Sequence, residues 1–415
     1  MRLAADYSYM LQSIAVGGSG NGADETHTST ATTSSLSKNQ TAIQTSLPAI
    51  SHSTKTTNNS PITVAYAVSL IQCSNAESHS SGLSDASIVL RHSIHQNSVR
   101  NPTSGSRYDY HMIAIVHTKA KECASELERA GFTILIRDTP VTPKDVVAPV
   151  LQKRMHRALC CGHDEFIKLY AYKLVDYPIV VHMDMDFVIH KPLDDLFDVL
   201  LDNTNQAARQ RIELEFPERG WPSNIQDEKH QVQAMFTRDW PQVIPGRKAA
   251  YQAGFMAIKP SPAIFDEIVH VIKTSNFTDG YGRDNGWGGL GYGAFVGDMA
   301  MQGVIAYYYD QFKPQQWIEL DQCTHNHMGM SVTARGGVCR NGRAECENCQ
   351  VTELSRIHSI HYSTYQIMLL CRWWCLFCGF YVHFNHYDCL PYSSLSKALE
   401  LHWRGTGYGP RQIGL

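Results

Sequence analysis

The chain has 415 residues, 43% hydrophobic and 18% charged, with a formal net charge of −3. That length accommodates one large domain with tails. The composition excludes a wholly disordered chain and, lacking any basic excess, a nucleic-acid-binding surface, so no nucleic-acid partner is expected.

Residues 1–60 carry Met10-Leu-Gln-Ser-Ile-Ala-Val, too short and too polar for a signal peptide or membrane anchor. The Gly-rich and Ser/Thr-rich runs that follow have no apolar periodicity, so a disordered segment is expected there: the stem of a luminal enzyme or a cytosolic tail. Sequons at Asn39, Asn58 and Asn276 allow N-glycosylation.

The folded domain is expected over 61–365. Ile62-Thr-Val-Ala-Tyr-Ala-Val-Ser-Leu-Ile reads as a first strand. Ser84 and Asp85 cap a helix over roughly Ala86 to Gln96, with Ile88 and Leu90 inward. A strand at His111-Met-Ile-Ala-Ile-Val, a helix near Lys119 to Ala130 closed by Gly131, and a strand at Phe132-Thr-Ile-Leu-Ile complete a βαβ unit. Such a unit implies a parallel sheet. Ile167, Tyr170, Ala171 and Leu174 mark a helical face that leads into the short apolar strand Ile179-Val-Val. Asp184 and Asp186 follow at once, and a helix starts in Lys191-Pro-Leu-Asp-Asp-Leu-Phe. Carboxylates beyond the end of such a strand lie where open α/β sheets bind ligands. They offer hard oxygens suited to Mg²⁺ or Mn²⁺ with phosphate. Residues 201–250 read as an irregular insertion suited to shaping an acceptor site.

The strand, Asp-x-Asp and Asp-Leu-Phe helix start resemble the metal-binding core of family 8 glycosyltransferases, the glycogenin-like group. Tyr251-Gln-Ala-Gly-Phe-Met-Ala-Ile-Lys-Pro resembles that family's Phe-Asn-Ala-Gly-Phe-Met-x-Leu-x-Pro. Gly297-Asp-Met-Ala-Met-Gln-Gly is similar to its Gly-Asp-Gln-Gly segment, and Ile360-His-Tyr-Ser to the start of its last motif. The resemblance implies an α/β fold of glycosyltransferase A type, a Rossmann-like mixed, mostly parallel sheet flanked by helices. It also implies retaining transfer of a hexose or related sugar from a UDP-sugar to a hydroxyl of a polysaccharide, glycan or protein acceptor. On that basis Asp184, Asp186 and His361 hold Mn²⁺. Ala65, Tyr66, Lys168, Asp184, Gln252, Ala253 and Gly254 contact the donor, and Gln302 or, less directly matched, Asp298 acts beside the reacting carbon.

Eight of the twelve cysteines follow residue 320, among Gly, Asn and His. On composition they fit either disulfides in an oxidising lumen or a zinc site. By resemblance, Cys346 and Cys349 are oxidised, together or with Cys323 and Cys339, in the secretory or Golgi lumen, with the cytoplasm as the alternative. In 366–415, Ile367 to Phe384 is an apolar run interrupted by Arg372 where the family has Lys-Pro-Trp. It suggests either a membrane association or a misread exon boundary after Gln366. Rival readings are a degenerate sugar-nucleotide-binding relative, a metal-dependent phosphatase, and a secreted Cys/His zinc protein.

Overall fold

The computed structural model describes residues 60–73, 80–158, 162–219, 221–222, 231–244 and 247–362. The expected disorder in the N-terminal segment, apart from Ser60, and the C-terminal run from Ile367 lie outside these residues, as do the sequons at Asn39 and Asn58.

The first strand, β1 (Thr63–Leu70), is followed by α1 (Ser80–Gln96), β2 (Asp109–His117), a 3-10 turn at Thr118–Cys123, α2 (Ala124–Arg129) and β3 (Thr133–Arg137). β2 pairs in parallel with β1 and β3, as the βαβ reading requires. α1 buries Ser87, Leu90 and Ile94, one stripe at helical spacing, and leaves Ile88 51% exposed, so the inward placement of Ile88 is corrected. α3 (Pro149–Arg154) and a twelve-residue 3-10 helix, Gly162–Lys173, bring the chain to β4 (Val180–Met183). Next come β5 (Phe187–Ile189), α4 (Asp194–Leu201), α5 (Gln206–Arg211), β6 (Ala234–Arg238) and β7 (Tyr251–Ile258). The last part holds α6 (Pro262–Thr274), β8 (Phe277–Thr278), β9 (Gly286–Trp287), α7 (Met301–Phe312), β10 (Trp317–Glu319) and β11 (Ser359–His361). α6 starts where its sequence says: the Ser261 hydroxyl accepts from the Ile264 amide and Pro262 occupies the first turn.

Seven strands form one sheet in the order β10-β6-β7-β4-β1-β2-β3. Only β7 runs against the rest, pairing antiparallel with both β4 and β6. The sheet is therefore mixed and mostly parallel, flanked by helices, as expected. Both faces are covered. Ala65 and Ala67 of β1 join one buried cluster with Phe166, Leu169 and Tyr172, while Val64, Tyr66 and Val68 join another with Phe197. This alternation explains why β1 and β4 read as continuous apolar runs.

The stretch 201–250 is not merely an irregular insertion. It contains β6, an inner strand of the sheet, whose Ala234 to Phe236 are buried on both faces and so show no alternation. Beside β10 the chain returns as Ile212 to Phe216, where Leu214 bridges Leu320. Glu215 there is 1% exposed; its Oε1 accepts from Asn341 at 2.7 Å and its Oε2 has no partner. Burial pushes its carboxyl up from 4.5 to about 8. Between those values the folded chain keeps a proton that the unfolded chain has released, so this group's contribution falls as pH rises. Glu215→Gln should flatten the decline in melting temperature between pH 5 and 8, the limiting slope for one proton being about 1.4 kcal/mol per pH unit. Parallel profiles for the two proteins would show Glu215 ionised in the fold.

The four distal cysteines among the described residues are disulfides, paired Cys323–Cys349 and Cys339–Cys346, and a third disulfide joins Cys73 to Cys123. Disulfide sulfurs are not thiolate ligands, which removes these cysteines from any zinc site.

Candidate metal and donor site

β4 is buried along its length, and its Ala65–Val180 to Ala67–His182 register against β1 leads the chain to the carboxyl edge of the sheet. There it turns through Asp184 and Asp186 and leaves the main sheet as β5, which pairs antiparallel with β11. That ladder sets His361 opposite Phe187, the two rings stacked at 4.3 Å. Ligand atoms of Asp184, Asp186 and His361 consequently lie within 4.8 Å of one another. Residues some 175 positions apart in the sequence are thus brought to one point by two strands of three residues each.

Each group is oriented. Lys168, whose side chain is 8% exposed, donates to Asp184 Oδ1 at 2.8 Å. Burial works against the Asp184 carboxylate, but the charges of Lys168 and then His361 outweigh it and hold its pKa below the ordinary value. Burial likewise works against a charged His361, and here Asp186 and Asp184 outweigh it and raise the imidazole. Asn326 donates from Nδ2 to the Thr237 hydroxyl at 2.7 Å, which leaves its Oδ1 to accept from His361 Nδ1 at 3.0 Å. Nδ1 therefore carries a proton, and Nε2 faces Asp186 Oδ1 at 3.5 Å, the position from which it donates while the ring is charged and from which it would bind a metal once that proton leaves. An imidazole held this way from behind has the orientation of a metal ligand. Two carboxylates and one neutral imidazole suit Mn²⁺, whereas Mg²⁺ prefers an all-oxygen set.

β7 supplies the opposite wall. The Gly254 carbonyl accepts from the Asp184 amide at 3.0 Å, and its own amide donates to Gln252 Oε1 at 3.0 Å. A Cβ on Gly254 would come within 2.8 Å of His361 Cε1 and 2.9 Å of Asp184 Oδ2. Gly254→Ala should therefore displace both ligands, weakening Mn²⁺ binding at least about 10-fold by the cost of disturbed ligand orientation. Mn²⁺ affinity equal to wild type, measured by calorimetry, would contradict that crowding. Gln302, in the first turn of α7, points Nε2 at Gln252 Oε1 from 3.4 Å and so joins the cluster through Gln252.

The other sequence candidates are placed differently. Asp298 spends both carboxylate oxygens on its own loop, accepting from the Ala294 and Met299 amides at 2.8 Å each. Ala253 is 1% exposed within β7. Ala65 and Tyr66 lie in the interior, 0% and 4% exposed, and Tyr66 packs edge-on against Phe197 at 6.3 Å. In the β1–β4 register they sit beside Val180 and Val181, upstream of the edge where Asp184 emerges. The structure does not bring Ala65 or Tyr66 to the metal cluster.

Two residues that the sequence reading missed belong here. Asn326 is one, at a backbone φ of 62°, a left-handed geometry in which Asn is several-fold enriched. Asp239 is the other. It follows β6 as Asp184 follows β4, is 1% exposed, and has no partner on either carboxylate oxygen. Burial raises its pKa to about 7, and it is close enough to His361 for the two charges to interact.

No protein-family model matches the chain, and no curated protein matches it. Among solved structures the chain is similar to mouse xyloside xylosyltransferase 1 at 12% identity, over 73% of this chain and 98% of that one, with a TM-score of 0.39. It is similar to the galactosyltransferase LgtC in complex with donor and acceptor sugar analogues at 11% identity, over 83% and 99%, with a TM-score of 0.32. It is also similar to the glucosyl-3-phosphoglycerate synthase of Mycobacterium tuberculosis, solved with Mn²⁺, UDP-glucose and phosphoglyceric acid, at 10% identity, over 62% and 69%, with a TM-score of 0.26. Likenesses this distant carry no argument, and the site is read from its own geometry.

Proposed function

We propose that this chain is a retaining glycosyltransferase that uses Mn²⁺ to move a sugar from a UDP-sugar to an acceptor hydroxyl on a polysaccharide, glycan or protein. The observation that carries the reading is the convergence of Asp184, Asp186 and His361 within 4.8 Å at the carboxyl edge of the sheet, with Lys168 on Asp184. When bound there, Mn²⁺ supplies Lewis-acid chemistry to a leaving diphosphate. Lys168 adds a fixed positive charge where negative charge develops, in a site already organised before the reaction. Gln252 and Gln302 present amides on the side facing the sugar. Asp239 offers two unsatisfied acceptors to sugar hydroxyls, which would remove the penalty of leaving them unpaired. Retention rests on the resemblance to family 8. Three disulfides support a secretory or Golgi lumen as the working compartment.

The test is Mn²⁺-dependent release of UDP from UDP-glucose, UDP-galactose, UDP-xylose and UDP-glucuronate, with product anomer analysis. Release from at least one donor is expected. UDP binding with no release from any of them would favour the degenerate, non-catalytic alternative.

A further inference from the structure

Away from the metal cluster, at the β10 edge of the sheet, lies a cavity of about 440 Å³. Its walls are Glu213 and Leu214 from the returning segment, Trp221, and Asp321, Arg343, Glu347 and Arg356 from the chain beyond β10. The charges are cross-paired: Arg356 binds Glu213, and Arg343 lies 3.7 Å from Glu347. Asp321 is the fifth charged group, 5% exposed and accepting from the Cys323 amide at 2.6 Å. Burial, and then the neighbouring Glu347, push its carboxyl up to about 7, so it carries less than a full charge near neutrality. Among the described residues, the lining of the cavity is close to electrically neutral. An anion would meet three carboxylates and a metal cation two guanidinium groups.

The lining is dense in directional hydrogen-bonding groups all the same. Glu347, its side chain 25% exposed, lines the wall with its carboxylate, and Arg343 stands 3.7 Å from it. The two guanidinium groups are multivalent donors. Ile212, Leu214, Pro217 and the broad ring of Trp221 supply the apolar part, the indole held by Arg209 stacked at 5.0 Å. An uncharged ligand with many hydroxyls and apolar ring faces matches both halves of this surface. The cavity is large enough for such a ligand, at the lower end of small-molecule sites.

Its position fits as well. In the strand order β10-β6-β7-β4, the cavity edge stands three strands from the strand that leads to Asp184, about 14 Å at ordinary strand spacing. It lies on the β6–β10 side, away from the β1–β3 half.

We propose that this cavity is a subsite for the non-reacting sugars of a neutral glycan acceptor. It rests on the glycosyltransferase reading and names that enzyme's acceptor class: an oligosaccharide without acidic groups, several units long.

Binding of the full chain to an array of neutral gluco-, galacto-, manno- and xylo-oligosaccharides alongside uronate and sulfated glycans tests it. Binding to a neutral series is expected, weakened at least ten-fold in Trp221→Ala and in Glu347→Gln, and unchanged in Asp186→Ala. Glu347→Gln keeps the shape of the wall, so a fold defect in the tryptophan variant leaves the test intact. No binding to neutral glycans, binding to acidic ones alone, or wild-type binding by both variants would overturn the subsite. UDP release from UDP-sugars without acceptor reads the donor site separately. Glycan binding with no release from any donor leaves a glycan-binding cavity but sinks the transferase and with it the acceptor role, and release without glycan binding sinks the subsite alone.

Discussion

Asp186→Ala should abolish Mn²⁺-dependent UDP binding while leaving the ligand-free protein almost as stable as before. The Asp186 side chain is 43% exposed, and its one ion-pair contact among the described residues is His361 at 3.5 Å. Removing such a group usually changes stability by within about 0.5 kcal/mol, a degree or two in melting temperature for a chain of this size. Asp184 differs. Its partner Lys168 is 8% exposed, so Asp184→Ala leaves an ammonium in a poorly solvated place. A cost of about 1–3 kcal/mol is expected, less than a fully buried pair would lose because Asp184 itself is 34% exposed. Asn326→Ala tests the orienting contact without touching a ligand and should lower Mn²⁺ affinity about 10–100-fold. Calorimetric titration of UDP with and without Mn²⁺, beside thermal unfolding of each ligand-free variant, separates these effects. Undiminished Mn²⁺-dependent UDP affinity in Asp186→Ala would remove the site assignment.

The two acids were legible because a short apolar strand followed by Asp-x-Asp is a local pattern. Lys168 and the Gln252 to Gly254 segment came from motif resemblance, and the structure gathers them around Asp184. The antiparallel sense of β7 and the β5–β11 ladder had no local sign, since a strand's pattern records which faces are buried and not which partner it meets. Asn326 was invisible for that reason: its value lies in a backbone φ of 62° and two long-range hydrogen bonds. Asp239 could have been found. It obeys the strand-then-acid rule that picked out Asp184, but Ala234 to Arg238 was read as part of an irregular insertion. Tyr66 shows the converse limit, since a tyrosine in a strand reads alike whether it faces a ligand or packs against a ring such as Phe197.

Arg238→Met should destabilise the fold strongly. Arg238 is the last residue of β6, its side chain 11% exposed, between two carboxylates that are 12% and 9% exposed. It reaches Asp310 of α7 at 2.8 Å, Glu319 of β10 at 3.1 Å and the Ala249 carbonyl at 3.0 Å, and lies over the rings of Tyr251 and Trp317. Tyr251 at the start of β7 also donates to Asp310, at 2.7 Å. One guanidinium therefore ties three strands to the helix that carries Gln302. Methionine keeps much of the volume but leaves two carboxylates buried without a cation, which costs about 3–5 kcal/mol. At roughly 2–4 °C per kcal/mol the melting temperature should fall by on the order of 10 °C. Arg238→Lys keeps the charge but loses the fork that serves both acids, so an intermediate loss is expected. If uncompensated charge is the cause, adding Asp310→Asn and Glu319→Gln to Arg238→Met should recover much of the deficit, because neutral amides can keep hydrogen bonds with Tyr251, Tyr292 and Trp240, the new amide at 310 accepting from one tyrosine and donating to the other. A triple variant no more stable than Arg238→Met would show that packing of the guanidinium on Tyr251 and Trp317, and not charge balance, holds this corner of the sheet together.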